Sequence, residues 1–463
     1  MRPLWLVRGR LLGLLLIAAA GCQRVGMPVP ASPDLPPPPP ERRGAGAVGA
    51  GRPGPPERVV PEVRREPEPG ARGSSRTPLP EDVRALWVVR TALAHPDSAR
   101  AAVRRAYDAG FNTLLVQVRG RGDALYRSRW EPRAEILAGA PAGYDPLDTV
   151  LEEARPLGIA VHAWLNAQVV ASAVRPPQDP GHLIHTRPDL LAIPRDLTEE
   201  LFRVDPHDPR YLDSLLGWTR ANGATVEGLF ASPVHPDAEE HLVRVVLDLL
   251  DRYAVDGIHL DYLRYPSPEF DYSRSTLEAF RDWVRVRTGS GAYGAESRWR
   301  TEPLAYVGAF PVLWDAFRES AVTGTVRRVA SEVRGHRPGT LLSVAVFPDP
   351  EDALRARYQN WATWVREGVV DVVVPMAYTP EHALFERQIL WARDHAGPQR
   401  VWAGVGVYQT SFDGAVRKSR AVRRLGLGGV ALFSYDWAVG AEGTAAAGGA
   451  FLTRYGASVW GRR

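Results

Sequence analysis

The segment YAVDGIHLDYLRYP, residues 253–266, is the most informative part of the sequence about the fold. Its centre, Gly257–Leu263, is a short run rich in residues that favour β-structure, and the Asp-Gly pair at its start is typical of a turn. Asp256 is therefore expected to be a structural capping or turn residue. His259 and Asp261 are two residues apart, so a strand places both on one face, with Asp261 nearer the carboxyl end.

Seven further apolar runs occur beyond residue 81, and helical patterns alternate with them. The runs are Arg84–Val88, Thr113–Val118, Ile159–Leu165, Leu342–Phe347, Val370–Tyr378, Val401–Val407 and Gly429–Tyr435. The helical segments include Asp97–Ala109, Pro146–Pro156, Ala238–Tyr253, Val312–Val333, Ala353–Glu367 and Ala415–Leu425. Continuous apolar strands that alternate with amphipathic helices indicate a parallel sheet covered by helices.

Eight strand–helix units over residues 81–463 predict an α/β fold, a (β/α)8 TIM barrel. The alternative is a doubly wound open sheet, which usually carries a glycine-rich phosphate turn after its first strand. The segment RALWVVRTAL, residues 84–93, has no such turn, so the barrel is favoured. The surplus length lies in two connections, Asn166–Glu239 and Arg264–Thr340, and long loops after strand ends build the active face of a barrel.

Residues 1–21 are typical of a lipoprotein signal peptide. Three arginines precede a short apolar run, Leu11–Ala20, and an apolar run this short is a signal region rather than a spanning helix. Cys22, the only cysteine, follows Ala-Ala-Gly in the manner of a bacterial lipobox, although Ala19 stands where leucine is common. We expect Cys22 to be lipidated and the protein to be exported and anchored at the bacterial cell envelope. The alternative is ordinary signal cleavage with an incidental cysteine.

Residues 22–80 are predicted to be a disordered linker. Between Gln23 and Pro80 there are 16 prolines among 58 residues and no Phe, Trp or Tyr, so the segment cannot bury enough apolar surface to fold. Residues 1–80 also hold 12 arginines and six acids of the 57 basic and 53 acidic residues, which leaves 45 and 47 for the rest. The basic pI of about 9.2 thus comes from the leader and linker, and no nucleic-acid partner is expected.

Polar residues at the carboxyl ends of barrel strands are candidate site residues. They are Gln117, Arg119, His162, Trp164, Asn166, His259, Asp261, Asp349, Tyr378, Tyr408 and Asp436. Each alone could be a hydrogen-bonded residue of the packed interior, but burying so many polar groups costs free energy unless a site requires them. A carboxylate at Asp261, with Arg264 nearby, fits acid/base or nucleophilic chemistry on a sugar. Trp87, Trp130, Trp164 and Trp437 could stack on sugar rings or belong to the core.

Several segments resemble the glycosyl-hydrolase-like 10 family of bacterial surface proteins, in order from about residue 81 to 437. They are VRALWV (83–88), AGFNTLLVQVRGRGDALY (109–126), YDPL (144–147), GIAVHAWLN (158–166), YAVDGIHLDYLRYP (253–266) and VVVPMAYT (372–379). The resemblance implies an exported glycosidase-type barrel that hydrolyses O-glycosidic bonds in a polysaccharide or in peptidoglycan glycan strands. By position it implies Asp261 as a catalytic carboxylate. The residues expected to line the sugar cleft are Gln117, Arg119, His162, Trp164, Asn166, His259, Arg264 and Tyr378.

The second catalytic carboxylate is left open by the sequence. Many members of the family have a second Asp after the strand-four Asp, where this chain has Tyr262, and the familiar two-glutamate retaining pattern is absent. Asp436 is the first candidate and Asp349 the second, with Asp123 also available.

Two other functions compete with hydrolysis by a carboxylate pair. The first is a non-catalytic glycan-binding surface protein on the same barrel. The second, a metal-dependent hydrolase using His162, His259 and Asp261, is disfavoured because the first strand offers no metal ligand. No cofactor or metal is expected, and the oligomeric state is open.

Overall fold

The computed structural model describes residues 78–289, 293–299, 301–440 and 448–461. The predicted signal peptide, Cys22 and all but the last three residues of the predicted linker lie outside the described residues. The signal peptide, the lipidation of Cys22 and the disorder of the linker therefore stay predictions.

Ten strands are present in the described part of the chain. They are β1 (Val83–Val88), β2 (Thr113–Arg119), β3 (Ala160–Asn166), β4 (Val169–Ala171), β5 (Leu229–Phe230), β6 (Gly257–Asp261), β7 (Leu341–Val346), β8 (Val372–Pro375), β9 (Trp402–Gly406) and β10 (Gly429–Phe433). Eight of them form one parallel sheet in the order β8-β7-β6-β3-β2-β1-β10-β9. A parallel bridge between Val373 and Val401 joins its two outer strands, so the sheet curls into a nearly closed barrel. The predicted (β/α)8 fold is confirmed.

Sixteen helices cover and connect these strands within the described ranges. They are α1 (Pro96–Asp108), α2 (Pro146–Ala154), α3 (Leu183–Thr186), α4 (Thr198–Leu201), α5 (Pro209–Ala221), α6 (Pro236–Arg252), α7 (Arg274–Thr288), α8 (Tyr293–Trp299), α9 (Ala305–Ala309), α10 (Pro311–His336), α11 (Pro350–Arg357), α12 (Trp361–Arg366), α13 (His382–Ala396), α14 (Phe412–Arg424), α15 (Tyr435–Gly440) and α16 (Gly448–Trp460). In the described part, no helix is both long enough and apolar enough to cross a lipid bilayer.

Several helices begin at a capping residue followed by proline. The cap side chain accepts a hydrogen bond from a backbone N–H of the first turn, and proline fits the first helical position because that position needs no donor. The pairs are His95-Pro96, Asp145-Pro146, Asp208-Pro209, His235-Pro236 and Asp349-Pro350. Local sequence thus sets where these helices start.

The predicted single helix Ala353–Glu367 is wrong. The segment forms two helices, α11 and α12, because Tyr358 adopts a left-handed conformation with φ 57° and ends the first of them. The Tyr358 ring is almost fully buried, and its hydroxyl donates to Asp315 on α10 at 2.8 Å. Tertiary packing therefore outweighs the helix-favouring composition of this segment.

The barrel interior is filled by side chains that point inward from the strands. The apolar members are Val83, Ala85, Trp87, Leu115, Trp164, Val372, Val374, Trp402 and Ala431. Below β6, the Asp256 carboxylate accepts a hydrogen bond from the Val161 N–H at 2.7 Å, which ties the start of β6 to β3. This contact gives Asp256 the structural role expected from its position.

Substitution of Gly257 by alanine is expected to destabilise the fold by about 1–3 kcal/mol through overpacking. A Cβ at this position would lie 2.4 Å from His162 Nδ1 and 2.5 Å from His162 Cε1. Urea unfolding measures the change. The matched control is Gly324→Ala in α10, where an added Cβ meets no atom within 4 Å and alanine should be neutral or stabilising. Equal stability of Gly257→Ala and the wild type would contradict this packing.

Candidate active site

The register of β3 and β6 arranges the inward-facing candidates in layers from the bottom of the barrel to its mouth. The paired residues are His162 with Gly257, Trp164 with His259, and Asn166 with Asp261. Because residues two apart share a face, the six positions form one continuous strip of the interior. Asp261 and Asn166 are therefore brought together at the carboxyl end of the barrel, as the sequence predicted.

Asp261 is the central carboxylic acid of this strip. It is 8% exposed, and its Oδ1 accepts a hydrogen bond from the Tyr262 N–H at 2.7 Å. Burial raises the pKa of Asp261 to about 6, and the negative charge of Glu227 adds to this effect while Arg264 opposes it. A carboxyl group that keeps its proton up to this pH is suited to act as a general acid.

Tyr262 follows with a positive φ of 53°. A bulky residue with positive φ is uncommon, and such conformations cluster at functional sites. This turn lets the Tyr262 N–H donate to the carboxylate of Asp261, the residue directly before it.

His259 lies beneath Asp261 and is held neutral. Its Nε2 lies 3.3 Å from the indole Nε1 of Trp87, and its Nδ1 lies 2.9 Å from the hydroxyl of Ser343. Because the indole N–H can only donate, Nε2 is the acceptor and the ring proton sits on Nδ1, facing Ser343. Burial lowers the pKa of His259 to about 3. His259 is thus a neutral residue of the packed barrel interior, held by hydrogen bonds at both ring nitrogens.

Four aromatic side chains lie together near the ends of β8, β9 and β10 and form an aromatic wall: Tyr378, Tyr408, Phe433 and Trp437. Tyr378 packs against Phe433 at 5.3 Å between ring centroids, and Tyr408 stacks on Trp437 at 5.6 Å and 26°. A side chain at Gly406 would come within 3.0 Å of both tyrosine rings, so this glycine makes room for the wall. All four rings are only partly buried. The geometry supports the predicted position of Tyr378 at the cleft.

The other tryptophans have different positions. Trp87 and Trp164 belong to the packed barrel interior, with exposures of 1% and 3%. Trp130 is 45% exposed on the loop after β2, with the Arg244 guanidinium 5.1 Å from its ring centroid.

Gln117 and Asp436 both fasten the loop that follows β1. Gln117 accepts from the Arg90 N–H at 3.2 Å. The two carboxylate oxygens of Asp436 accept from the Val89 N–H at 3.2 Å and the Thr91 hydroxyl at 2.6 Å, and burial raises the pKa of Asp436. Asp436 lies in the first turn of α15, because β10 ends at Phe433. These contacts give both side chains a structural use, and their catalytic or sugar-binding roles stay predictions.

Asp349 is an exposed helix cap. Its carboxylate accepts from the backbone N–H groups of Glu351 at 2.9 Å and Asp352 at 3.0 Å, at the start of α11. An exposed cap lacks the desolvated surroundings that tune a catalytic carboxylate, so the structure does not support the catalytic prediction for Asp349.

Arg119 does not line the cleft. Its guanidinium is 1% exposed and is paired with the equally buried Glu131 at 2.7 Å. It also donates to the backbone carbonyls of Asn166 and Ala167, and Glu131 receives a further hydrogen bond from His241 at 2.9 Å. Although burial alone would raise it, Arg119 and His241 lower the pKa of Glu131 to about 2. The Arg119 network therefore positions the segment after β3, and the predicted sugar contact is corrected to a structural role.

His162 is likewise a core residue. It lies in the bottom layer, 5.4 Å from the Trp402 ring centroid, and burial lowers its pKa to about 4. Asn166 differs, because it lies beside Asp261 and donates to the Gly120 carbonyl at 2.8 Å, while its Oδ1 has no partner among the described residues. Of these two predicted sugar contacts, the geometry favours only Asn166.

Sequence reasoning missed Glu227, which faces the site from the loop before β5. Its Oε1 pairs with Arg264 Nη2 at 2.7 Å, and its charge contributes to the raised pKa of Asp261. The loop is fixed by Gly228, where a side chain would lie 2.2 Å from the Ala171 carbonyl oxygen across the antiparallel pair of β4 and β5. The only signal for this position in the sequence is the pair Glu227-Gly228, an acid followed by glycine, within the long connection Asn166–Glu239.

Among the residues that the structure describes, no three histidine, cysteine or acidic side chains gather in a group that could hold a metal ion. His162, His259 and Asp261 lie in successive layers of the barrel, so they do not converge on one point.

The fold and site define a glycosidase-type (β/α)8 barrel, with a buried acid at the carboxyl end of its fourth strand. The chain belongs to the glycosyl hydrolase-like 10 family, which it matches over residues 82–416. The predicted family is thereby confirmed.

Curated relatives and solved structures agree with this assignment. Glycosyl hydrolase DigH of Escherichia coli is 25% identical over 317 residues, which make up 64% of this chain and 62% of that protein. Glycosyl hydrolase YngK of Bacillus subtilis is 23% identical over 284 residues, 58% of this chain and 46% of that protein. The chain thus spans less than two thirds of the length of these relatives.

Two solved structures share the fold at low sequence identity. The glycoside hydrolase domain of PgaB (BpsB) from Bordetella bronchiseptica superposes with a TM-score of 0.54 and 14% identity, over 77% of this chain and 95% of that domain. A β-galactosidase of Halorubrum lacusprofundi gives 0.53 and 14%, over 81% of this chain and 57% of that one.

Proposed function

We propose that this protein is a glycoside hydrolase that cleaves O-glycosidic bonds in a polysaccharide or in peptidoglycan glycan strands. The observation that carries the proposal is Asp261, a buried acid at the mouth of the barrel whose pKa is raised to about 6. Family membership and the glycosyl hydrolase names of the relatives from Escherichia coli and Bacillus subtilis support the reaction class.

In this proposal Asp261 donates its proton to the glycosidic oxygen as the bond to the anomeric carbon breaks. The sugar ring gains positive charge in the transition state. A second, ionised carboxylate either attacks the anomeric carbon, forming an intermediate that water then hydrolyses, or activates the water that attacks directly. Glu227 and Asp436 are the candidates for this second carboxylate. The wall of Tyr378, Tyr408 and Trp437 offers flat aromatic faces on which sugar rings can stack.

The test is incubation of the purified chain with peptidoglycan, with glycan strands stripped of peptide and with a panel of polysaccharides, followed by measurement of released reducing ends. Release that is lost in Asp261→Asn would support the proposal. Binding to a glycan without release of reducing ends from any of them would instead favour a non-catalytic glycan-binding protein. That alternative has one supporting observation, Tyr262 in the place where many relatives have a second acid.

We also propose that the protein is anchored at the cell envelope through a lipid on Cys22, on the evidence of the leader sequence alone. Cys22→Ser is expected to move the protein from the membrane fraction to the soluble fraction, because a lipid anchor would be lost. Fractionation followed by immunoblotting checks this, with incorporation of labelled fatty acid as the second readout. Unchanged membrane association of Cys22→Ser would contradict it.

A further inference from the structure

Two arginines meet on one aromatic ring at the carboxyl end of the barrel, and one of them, Arg264, acts on Asp261 through its charge. Arg264 follows β6, and Arg357 ends α11. Their guanidinium carbons lie 5.1 and 4.8 Å from the ring centroid of Phe347, the residue that follows β7, so one aromatic ring carries both groups. The Arg264 guanidinium is also 4.8 Å from the Tyr262 ring. The two cations are therefore held against the same ring, and Arg264 links them to the proposed acid.

Only one of the two arginines has an ion-pair partner. Arg264 is paired with Glu227, whereas Arg357 makes no ion pair and no side-chain hydrogen bond with any residue that the structure describes. Asp352, on the same helix, is exposed and lies beyond ion-pair distance of Arg357. Glu227 is thus committed to Arg264, and the Arg357 guanidinium is left without an ion-pair partner among the described residues.

A half-buried guanidinium without an ion pair is costly in the free protein. The Nε atoms of Arg264 and Arg357 are both buried without a hydrogen-bond partner, and the Arg264 side chain is only 4% exposed. Burial and the neighbouring charge of Arg264 lower the pKa of Arg357. Partly buried cations without a counter-charge are destabilising, and an incoming anionic group would remove that penalty.

We propose that this cluster binds a carboxylate on the substrate, with Arg357 as the principal contact, so that the cleft selects an acidic sugar. The inference rests on the proposed glycosidase function and deepens it. The planar guanidinium matches a carboxylate through two parallel hydrogen bonds, and one guanidinium without an ion pair suits a singly charged carboxylate. The carboxylate can belong to a uronic acid or to a lactyl ether on an amino sugar.

The experiment measures binding of two sugar pairs to the full chain by titration calorimetry. N-acetylmuramic acid is compared with N-acetylglucosamine, and glucuronic acid with glucose, since each pair differs mainly in the carboxylate. At least one acidic sugar is expected to bind about tenfold tighter than its neutral partner. Whichever acidic sugar shows the preference identifies the source of the carboxylate. The preference should weaken with added salt, as charge pairing does.

Variants separate a binding role from a purely structural one. Arg357→Gln is expected to abolish the preference, and Arg357→Lys to retain part of it, because the charge remains without the fork geometry. The matched control is Arg355→Gln on the same helix, whose side chain is 78% exposed and pairs with Glu351 at 2.9 Å. It should leave the preference unchanged.

Several results would overturn the inference. These are equal affinity for both members of each pair, no detectable binding of either acidic sugar, or a preference that survives in Arg357→Gln. Full-rate cleavage of a neutral polysaccharide together with equal affinities would overturn only the carboxylate site and leave the hydrolase standing. A carboxylate preference without cleavage of any glycan would refute the hydrolase and leave the binding site standing.

Discussion

Asp261→Asn is expected to lower kcat on the natural glycan by about 10²- to 10⁴-fold, the usual contribution of a general acid. Asparagine keeps an oxygen that can accept the Tyr262 N–H, so the turn is preserved, but it has no acidic proton to donate. KM should change little, because the substitution removes an interaction made in the transition state. Initial rates of reducing-end release measure both constants.

The same substitution is expected to stabilise the fold above pH 6. Because the folded-state pKa of Asp261 is about 6 against 3.8 in the unfolded chain, the folded state binds more protons between these values. Wild-type stability therefore falls as the pH rises through this window, by about 3 kcal/mol, and stays low above it. Asparagine cannot ionise and escapes this loss.

Urea unfolding at pH 4 and pH 8 checks the effect. The gain of Asp261→Asn over the wild type should be larger at pH 8 than at pH 4. Asp282→Asn, which replaces a 70% exposed carboxylate, is the control and should show no comparable pH dependence. A variant less stable than the wild type at pH 8 would contradict the raised pKa.

Glu131→Ala is expected to destabilise the protein by about 3–5 kcal/mol, because it leaves the Arg119 guanidinium buried without its counter-charge. Urea unfolding again provides the measurement. The double variant Arg119→Met, Glu131→Leu should recover much of the loss, since an apolar pair of similar size carries no unpaired charge.

The same variant tests whether the Arg119–Glu131 pair is structural or lines the substrate cleft. If Glu131→Ala left stability within about 0.5 kcal/mol of the wild type, the range of ordinary surface substitutions, and raised KM instead, the pair would belong to the substrate cleft after all.

The barrel could be predicted from the sequence because its strands are buried on both faces and read as continuous apolar runs. The inward-facing positions of β6 could also be predicted, because side chains alternate regularly along a strand. This alternation placed His259 and Asp261 correctly on one face. The positions at which strands and helices end were harder to predict. The run Gly429–Tyr435 continues past Phe433, where β10 gives way to α15, so Asp436 lies in a helix.

The remaining site residues depend on contacts that no local pattern encodes. Arg119 and Asn166 have the same appearance in the sequence, polar residues at strand ends, yet only Arg119 meets a buried acid 12 residues away. Glu227 and Arg264 are 37 residues apart and meet although no local pattern links them; Glu227 stands two residues before β5, which pairs with β4. Arg357 is placed by the helix break at Tyr358, itself a product of tertiary packing.

The most direct test of Asp261 as the proton donor compares two leaving groups. The sugar identified by the glycan panel would be offered to wild type and Asp261→Asn both as the natural glycan and as an aryl glycoside whose phenolate leaves without protonation. We expect Asp261→Asn to lose about 10²- to 10⁴-fold on the glycan and to release the aryl group at nearly the wild-type rate. An equal loss on both substrates would refute proton donation by Asp261 and make it the nucleophile or a structural residue.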